Sequence, residues 1–189
     1  MSSGHHEKGS TRSHDKKNHK SGLRLSHFLP NLILSILLAI NYLHKKKIIY
    51  RDVKPENVMV TSRGYIKIID FGTVKEIKDR TSTVIGTSHY MAPEITKGEG
   101  YSFQVDIWSI AICMYEFFCG KLPFGEDLED PVDIYRAVCR EELSFPLFVH
   151  DEKYMALLNK MLKKIQLKDY GNLNKLKQIL IFKILIGIN

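Results

Sequence analysis

The alternation of apolar and polar positions predicts a mainly helical chain with one small β-hairpin. Residues 30–46 are apolar on most faces of a helix, as expected of a helix buried in a core. Two short runs rich in β-formers, at residues 58–60 and 65–69, are separated by Thr-Ser-Arg-Gly and predict the hairpin. A second buried helix is predicted over residues 105–119, with Gly120 as its C-cap.

Capping residues predict two more helices further along the chain. Asp130 has the chemistry of an N-cap and is followed by Pro131, which suits the first helical position. Asp151 is placed to cap another helix that runs to about residue 164.

The two ends of the chain differ from its centre. Residues 1–22 are polar or small after Met1, which predicts a disordered tail; its histidines lack the paired spacing of metal ligands and are interpreted as solvated. Residues 161–189 are mostly Ile, Leu, Lys and Asn, a low-complexity tail that we interpret as a divergent end. One folded domain is therefore predicted over residues 23–160.

Composition and charge narrow the class of protein. With 44% hydrophobic and 26% charged residues, the chain of 189 residues is typical of a globular domain. Its net charge of +7 comes from its ends, since residues 1–22 carry +3 and residues 153–189 carry +7, which leaves −3 for residues 23–152. A basic surface that binds nucleic acid is therefore not expected.

Cysteine usage and the lengths of apolar runs bear on the compartment. The three cysteines have no CxxC spacing, so neither a disulfide framework nor a zinc site is predicted. The longest apolar run, residues 32–40, is too short to span a bilayer, and no secretory signal is recognised. We therefore expect a protein without a membrane span in a reducing compartment, the cytoplasm.

The candidate chemistry is concentrated in two short motifs. The loop sequence Tyr-Arg-Asp-Val-Lys-Pro-Glu-Asn at residues 50–57 precedes the hairpin, and Asp-Phe-Gly at residues 70–72 follows it. A loop carboxylate such as Asp52 can orient a hydroxyl group and accept its proton. A second carboxylate and an amide oxygen are hard ligands suited to Mg2+, and Lys54 can neutralise charge on a transferred phosphoryl group.

Four motifs follow one another in the chain: YRDVKPEN, DFG, GTSHYMAPE and DIWS. Together they resemble the large lobe of eukaryotic protein kinases, over about residues 28–160. KPEN is similar to the form found in serine/threonine kinases, and YRD to that of the AGC group. GTSHYMAPE, together with residues 115–146, most resembles cyclic-GMP-dependent protein kinases. The resemblance implies a fold that is mainly α with a small β-hairpin, a fragment like the kinase C-terminal lobe.

The resemblance assigns roles in ATP-dependent phosphoryl transfer to individual residues. Asp52 would be the catalytic base, and Lys54 would contact the γ-phosphate of ATP. Asn57 and Asp70 would hold the Mg2+ ions. Met59 would form the floor of the adenine pocket, although a methionine of the core fits its position equally well.

A regulated activation segment is also implied by the resemblance. Thr83 would be the site of an activating phosphorylation, with Arg51 as the partner of the phosphate. Thr87 would bridge Asp52 and Lys54 in the active arrangement.

Two glutamates suggest the class of substrate. Glu56 and Glu116 match positions that, in basophilic kinases, bind an arginine of the substrate. The implied partner is a protein or peptide with Arg or Lys near a Ser or Thr, while the oligomeric state stays open. The alternative is that both glutamates are ordinary solvated or ion-paired residues.

The sequence departs from the kinase pattern in three places. No GxGxxG loop or lysine-bearing strand precedes the first predicted helix, so the small lobe is missing and ATP is expected to bind weakly. Ala111 stands at a usual glycine position, a change that a helix tolerates. Glu94, part of the implied activation segment, has no later arginine to pair with beyond Arg140, which predicts an unpaired buried carboxylate and a marginally stable lobe.

Two functions are compatible with these features. In the first, the chain is part of a serine/threonine kinase that phosphorylates basic protein substrates. In the second, it is a non-catalytic fragment that interacts with partners through the same surface.

Overall fold

The computed structural model describes residues 15–163. The outer parts of both predicted tails, residues 1–14 and 164–189, lie outside the described residues. In chain order the elements are α1 (Asp15–Lys45), β1 (Ile48–Ile49), β2 (Val58–Val60), β3 (Ile66–Ile68), β4 (Lys75–Glu76), α2 (Pro93–Thr96), α3 (Gln104–Cys119), α4 (Pro131–Arg140) and α5 (Glu152–Met161), with 3-10 turns at Pro55–Asn57 and Ser88–Tyr90.

The first helix is longer than the sequence predicts. It begins at Asp15 rather than near Pro30, so the prediction of a disordered tail is wrong for residues 15–22. Proline and glycine inside a helix are unfavourable locally, but packing of a buried face outweighs such preferences. The later turns of α1 provide that face through five buried side chains: Leu32, Ile33, Ile36, Leu37 and Ile40.

Two small antiparallel ladders flank residues 50–57, which are called the catalytic loop below after the role that the kinase resemblance implies. The predicted hairpin is confirmed, because β2 pairs with β3 and Met59 lies opposite Lys67. Gly64 closes its turn with φ of 81°, a conformation that suits glycine. The pairing of β1 with β4 was not predicted, since each strand has only two residues and no pattern of alternation can appear in so short a run.

Helix α3 forms the centre of the core. Ile110, Ala111 and Ile112 are completely buried, so the alanine at the usual glycine position fits into the packed interior. Gly120 ends the helix in the left-handed conformation with φ of 69°, and its N–H donates to Glu116 O at 2.8 Å. The predicted helix and its cap are therefore confirmed.

Helices α4 and α5 have the predicted caps. The carboxylate of Asp130 accepts the backbone N–H of Val132 and Asp133, and that of Asp151 accepts the N–H of Tyr154. Tyr154 also fixes α5 to the core, because its ring stacks on Phe118 with centroids 3.7 Å apart. Across residues 15–163, no helix is long and apolar enough to cross a membrane.

Candidate active site

The catalytic loop is anchored to α3 by one buried carboxylate. Asp106 is completely buried, and its two oxygens accept the backbone N–H of Tyr50 at 3.0 Å and of Arg51 at 2.7 Å. His44, at the end of α1, brings its Nε2 to 2.6 Å from the same carboxylate. These contacts hold Arg51 in the left-handed region, with φ of 72°, which is unfavourable for a residue with a side chain.

Tyr50, which stands where the kinase motif has histidine, joins the catalytic loop to the Asp-Phe-Gly segment. Its hydroxyl donates to Ile69 O, and its ring meets the edge of Phe71 with centroids 5.8 Å apart. Thr73 Oγ1 returns a bond to Tyr50 O at 2.8 Å. Burial, followed by the nearby carboxylates, raises the pKa of Tyr50, so the hydroxyl stays protonated and keeps its role as a donor.

Three donors converge on the buried carboxylate of Asp52. Its Oδ2 accepts Asn57 Nδ2 at 2.9 Å and lies 3.1 Å from Lys54 Nζ. Thr87 Oγ1 donates to Oδ1 at 2.8 Å and accepts Lys54 Nζ at 2.7 Å. These four residues are called the catalytic-loop cluster below. Its contacts hold the buried carboxylate in one orientation.

Asp70, the candidate metal ligand of the Asp-Phe-Gly motif, lies beside this cluster. The N–H of Ile69 donates to Asn57 O at 3.0 Å, so the residue that follows, Asp70, lies next to the catalytic loop. Asp70 is exposed, has φ of 57°, and accepts the N–H of Gly72 at 3.0 Å. A carboxylate and an amide from adjacent loops fit the ligand preference of Mg2+.

The exposed Thr83 has a hydroxyl side chain beside it, and that hydroxyl is bonded to a lysine. Its Oγ1 lies 3.5 Å from Thr81 Oγ1, which accepts Lys75 Nζ at 2.8 Å. Arg51, the residue implied as the partner of a phosphate on Thr83, is buried in the catalytic loop and donates from Nε to Thr73 O at 2.5 Å. Its Nη1 is buried and has no hydrogen-bond partner within residues 15–163.

The two glutamates predicted to bind substrate differ in their surroundings. Glu56 is exposed beside the catalytic loop, whereas Glu116 is half-buried on α3 and accepts the hydroxyl of Tyr90 at 2.7 Å. Burial, followed by this bond to Glu116, raises the pKa of Tyr90, so the tyrosine remains a donor to the carboxylate. Tyr90 thereby fixes the orientation of the Glu116 carboxylate near the catalytic loop.

Glu94 is buried as expected, but it is not without a partner. Only 7% of the residue is exposed, and its side chain is hydrogen-bonded to that of Gln104 at the start of α3. Burial raises the pKa of Glu94, because the amide is neutral and does not replace the charge of an arginine. No ion pair to Glu94 forms within residues 15–163, and its side-chain partner there is the neutral amide of Gln104.

Sequence reasoning missed several residues that build this site. Asp106, Tyr50, Lys75 and Tyr90 all hold site residues in place, yet none was given a role from the motifs. A signal existed for Asp106, because it is the one charged residue in the first three turns of a mostly apolar, buried helix. A buried charge at such a position requires donors from elsewhere in the chain. Lys75 offered no comparable signal, since an exposed strand lysine is ordinary.

Comparison with known proteins agrees with this geometry. The family described as "Protein kinase domain" matches residues 7–177. The chain is 49% identical over 131 residues to a cGMP-dependent protein kinase of Plasmodium berghei, an alignment that covers 69% of this chain and 15% of that protein. It is 47% identical over 133 residues to a cGMP-dependent protein kinase of Toxoplasma gondii, covering 70% and 13%.

A third relative is named as a cAMP-dependent kinase. The chain is 40% identical over 156 residues to the cAMP-dependent protein kinase catalytic subunit of Arthrobotrys oligospora, covering 80% of this chain and 30% of that protein. The chain thus spans less than a third of the length of each of these three relatives. The expected fold and the resemblance to cyclic-GMP-dependent kinases are confirmed, and the match over most of its length shows that this chain belongs to the protein kinase domain family.

Proposed function

We propose that this chain forms the large-lobe half of a serine/threonine kinase active site and takes part in transferring the γ-phosphoryl group of ATP to basic protein substrates. The observation that carries the proposal is the catalytic-loop cluster, in which a carboxylate, an ammonium group and a hydroxyl lie within hydrogen-bond distance of one another. Positioning of this kind is the main contribution that a protein makes to phosphoryl transfer.

In the proposed reaction, Asp52 orients the hydroxyl group of the substrate. The hydroxyl oxygen attacks the γ-phosphorus, the bond to the β,γ-bridging oxygen breaks, and ADP leaves with that electron pair. The hydroxyl proton passes to Asp52, while Lys54 lies 3.1 Å away and offsets negative charge on the transferred group. Thr87 holds the two side chains together, and it acts as a positioning residue.

Protein kinases use ATP and Mg2+, and the residues present fit both. Asn57 and Asp70 would hold the ion, because they supply an amide and a carboxylate from adjacent loops. When bound, Mg2+ neutralises charge on the phosphates of ATP. Met59 on β2 leaves 54% of its surface exposed beside this site, which supports a contact with the adenine ring.

Phosphorylation of Thr83 is proposed as the regulatory event. A phosphate at this hydroxyl carries nearly two negative charges. It would lie close to Lys75, through their shared neighbour Thr81. The Nη1 of Arg51, which has no partner within residues 15–163, is suited to a charge-assisted bond with it. Such bonds would fix the segment that carries Thr87.

Basic peptides are the proposed substrates. Glu56 and Glu116 offer carboxylates next to the catalytic loop, and the bond from Tyr90 to Glu116 supports a fixed binding direction for an arginine. A cytoplasmic location is part of the proposal, since the three cysteines in residues 15–163 are free thiols and ATP is available there.

Phosphate transfer by the purified full chain tests the activity. The assay uses labelled ATP at millimolar concentration with Mg2+ and a serine peptide that carries two arginines shortly before the serine. We expect slow transfer that falls to background in Asp52→Asn and Asp70→Asn. Asp79→Asn, which changes an exposed aspartate of the same segment, is the matched control and keeps the wild-type rate. If the wild type transfers no more than Asp52→Asn, the non-catalytic alternative replaces this proposal.

Peptide binding separates substrate recognition from catalysis. With fluorescence anisotropy, Glu56→Gln is expected to weaken binding of the arginine peptide by about fivefold, the upper range of an exposed ion pair. Glu129→Gln removes another exposed carboxylate away from the catalytic loop and should leave the affinity unchanged. An equal loss in both variants would mean that only the overall charge attracts the peptide.

A further inference from the structure

The loop between α4 and α5 presents two large apolar side chains to solvent. Leu147 is 96% exposed and Phe148 is 65% exposed, and together they are called the loop tip. Its stem is fixed, because Tyr115 donates to Ser144 O at 2.8 Å and packs against Phe145 with centroids 5.6 Å apart. The loop tip therefore projects from a loop whose base is fixed to α3.

Carboxylates flank the loop tip on both sides in sequence. Glu141 and Glu142 precede it, Asp151 and Glu152 follow it, and all four are exposed. No Lys or Arg lies between residues 141 and 152, so this stretch carries a charge of −4 with two apolar side chains at its centre. A binding partner for such a surface has to combine positive charge with apolar side chains.

The C-terminal segment of the same chain has this composition. Residues 164–189 contain five lysines and one aspartate, and most of their other residues are Ile, Leu and Asn. They follow α5, whose first residue, Glu152, is part of the acidic stretch and whose length of 10 residues corresponds to about 15 Å. A chain of 26 residues reaches far beyond that distance even when it is only partly extended.

We propose that residues 164–189 bind the loop tip of their own chain, with lysines beside the flanking carboxylates and apolar side chains against Leu147 and Phe148. A second copy of the loop is a poorer occupant, because two stretches of charge −4 repel each other. An intramolecular partner is also favoured by its high effective concentration, which reaches the millimolar range for short connections. The proposal does not depend on kinase activity.

Site-specific photo-crosslinking in the full chain tests this contact. A photoreactive phenylalanine analogue replaces Phe148, and the crosslinked peptides are identified by mass spectrometry after mixing unlabelled chain with 15N-labelled chain. We expect crosslinks from position 148 to residues 164–189 within one isotopic species. The same analogue at Tyr65, which is 71% exposed in the hairpin turn, is the matched control and should give no such product.

Charge reversal tests the electrostatic part of the contact. Glu142→Lys combined with Glu152→Lys should lower the yield of the crosslink from position 148 by about threefold or more, since it replaces two attractions by repulsions. The control pair Glu99→Lys and Glu129→Lys makes the same change in net charge at other exposed sites and should leave the yield unchanged.

The outcomes are separable from misfolding, because Trp108 fluorescence shows whether each variant keeps its core. Among folded variants, three results overturn the proposal. They are crosslinks from position 148 that miss residues 164–189, crosslinks mainly between isotopically different chains, and equal loss of yield in the two charge-reversal pairs.

Discussion

Replacing Asp106 by alanine removes the acceptor that holds the catalytic loop on α3. In the wild type, its carboxylate accepts the N–H of Tyr50 and Arg51 and lies 2.6 Å from His44 Nε2. All of these groups are buried, so water cannot replace the lost acceptor without opening the core. The change also releases Arg51 from the left-handed conformation that these bonds maintain.

The expected loss of stability can be worked from these contacts. A buried N–H left without a partner costs about 1–3 kcal/mol, and Asp106→Ala leaves two of them. We therefore expect the free energy of unfolding to fall by about 2–6 kcal/mol, a large part of the 5–15 kcal/mol typical of a domain. Asp106→Asn keeps one acceptor oxygen in nearly the same shape, and its expected loss is about 1–3 kcal/mol.

Equilibrium unfolding in urea measures these values in the full chain. Trp108 lies two residues after Asp106 on α3, is 5% exposed, and is the only tryptophan, so its fluorescence reports on the relevant part of the core. Asp133→Asn is the control, because this exposed residue pairs with Arg136 across one helical turn and should change stability by less than about 0.5 kcal/mol.

A result within about 1 kcal/mol of wild type for Asp106→Ala would refute the argument, since it would mean that the loop holds itself without this carboxylate. If Asp106→Ala does not fold, the stability of Asp106→Asn is used to test the argument instead. Asp106→Asn would then have to lose measurably more stability than Asp133→Asn.

Three further predictions concern the same lobe. Gly86→Ala should destabilise by about 1–3 kcal/mol in urea, because the new Cβ would lie 2.6 Å from Arg51 O at φ of 122°, whereas Gly64→Ala meets no atom within 4 Å and should cost less. Burial raises the pKa of Glu94, so the folded chain holds this proton more tightly than the unfolded chain. The stabilisation that comes from protonated Glu94 is therefore lost as the pH rises from about 4.5 through the raised pKa. In Glu94→Gln the urea midpoint should fall less over the same pH range than in the wild type. Thr87→Val should lower kcat by about tenfold or more with a smaller change in KM for peptide, while Thr87→Ser retains the hydroxyl and most of the rate; equal rates for the two variants would contradict the bridging role.

The parts of the fold that sequence predicts well are those specified by local chemistry. The hairpin turn needs a residue with positive φ and has Gly64 there, and α4 needs an N-cap acceptor and has Asp130. The same holds for the end of α3 at Gly120. In each case one residue type satisfies a requirement of its own few neighbours, so the pattern can be read without knowing the rest of the molecule.

The parts that sequence does not predict depend on distant contacts. Asp106 accepts hydrogen bonds from Tyr50 and Arg51, which precede it in the chain by 56 and 55 positions. Nothing near Asp106 in the sequence indicates that these two residues are its donors. The start of α1 is a different case, because local signals there argue against a helix. Pro30 and Gly22 both disfavour a helix that continues through them. The helix forms nevertheless, because its later turns are buried and anchor it to the core.

Arg51 is the residue at which the local and distant constraints meet. Asp106 holds its backbone in a left-handed conformation, and its carbonyl oxygen occupies the space that any side chain at position 86 would need. Its Nε bonds to Thr73 O, while its Nη1 is buried without a partner in the described part of the chain. A buried guanidinium nitrogen in that state is unfavourable, and the lobe tolerates it only because the other contacts fix the residue. In the proposed regulation, a phosphate on Thr83 is the acceptor for this nitrogen. Arg51 would then connect the backbone strain of the catalytic loop to the phosphorylation of Thr83.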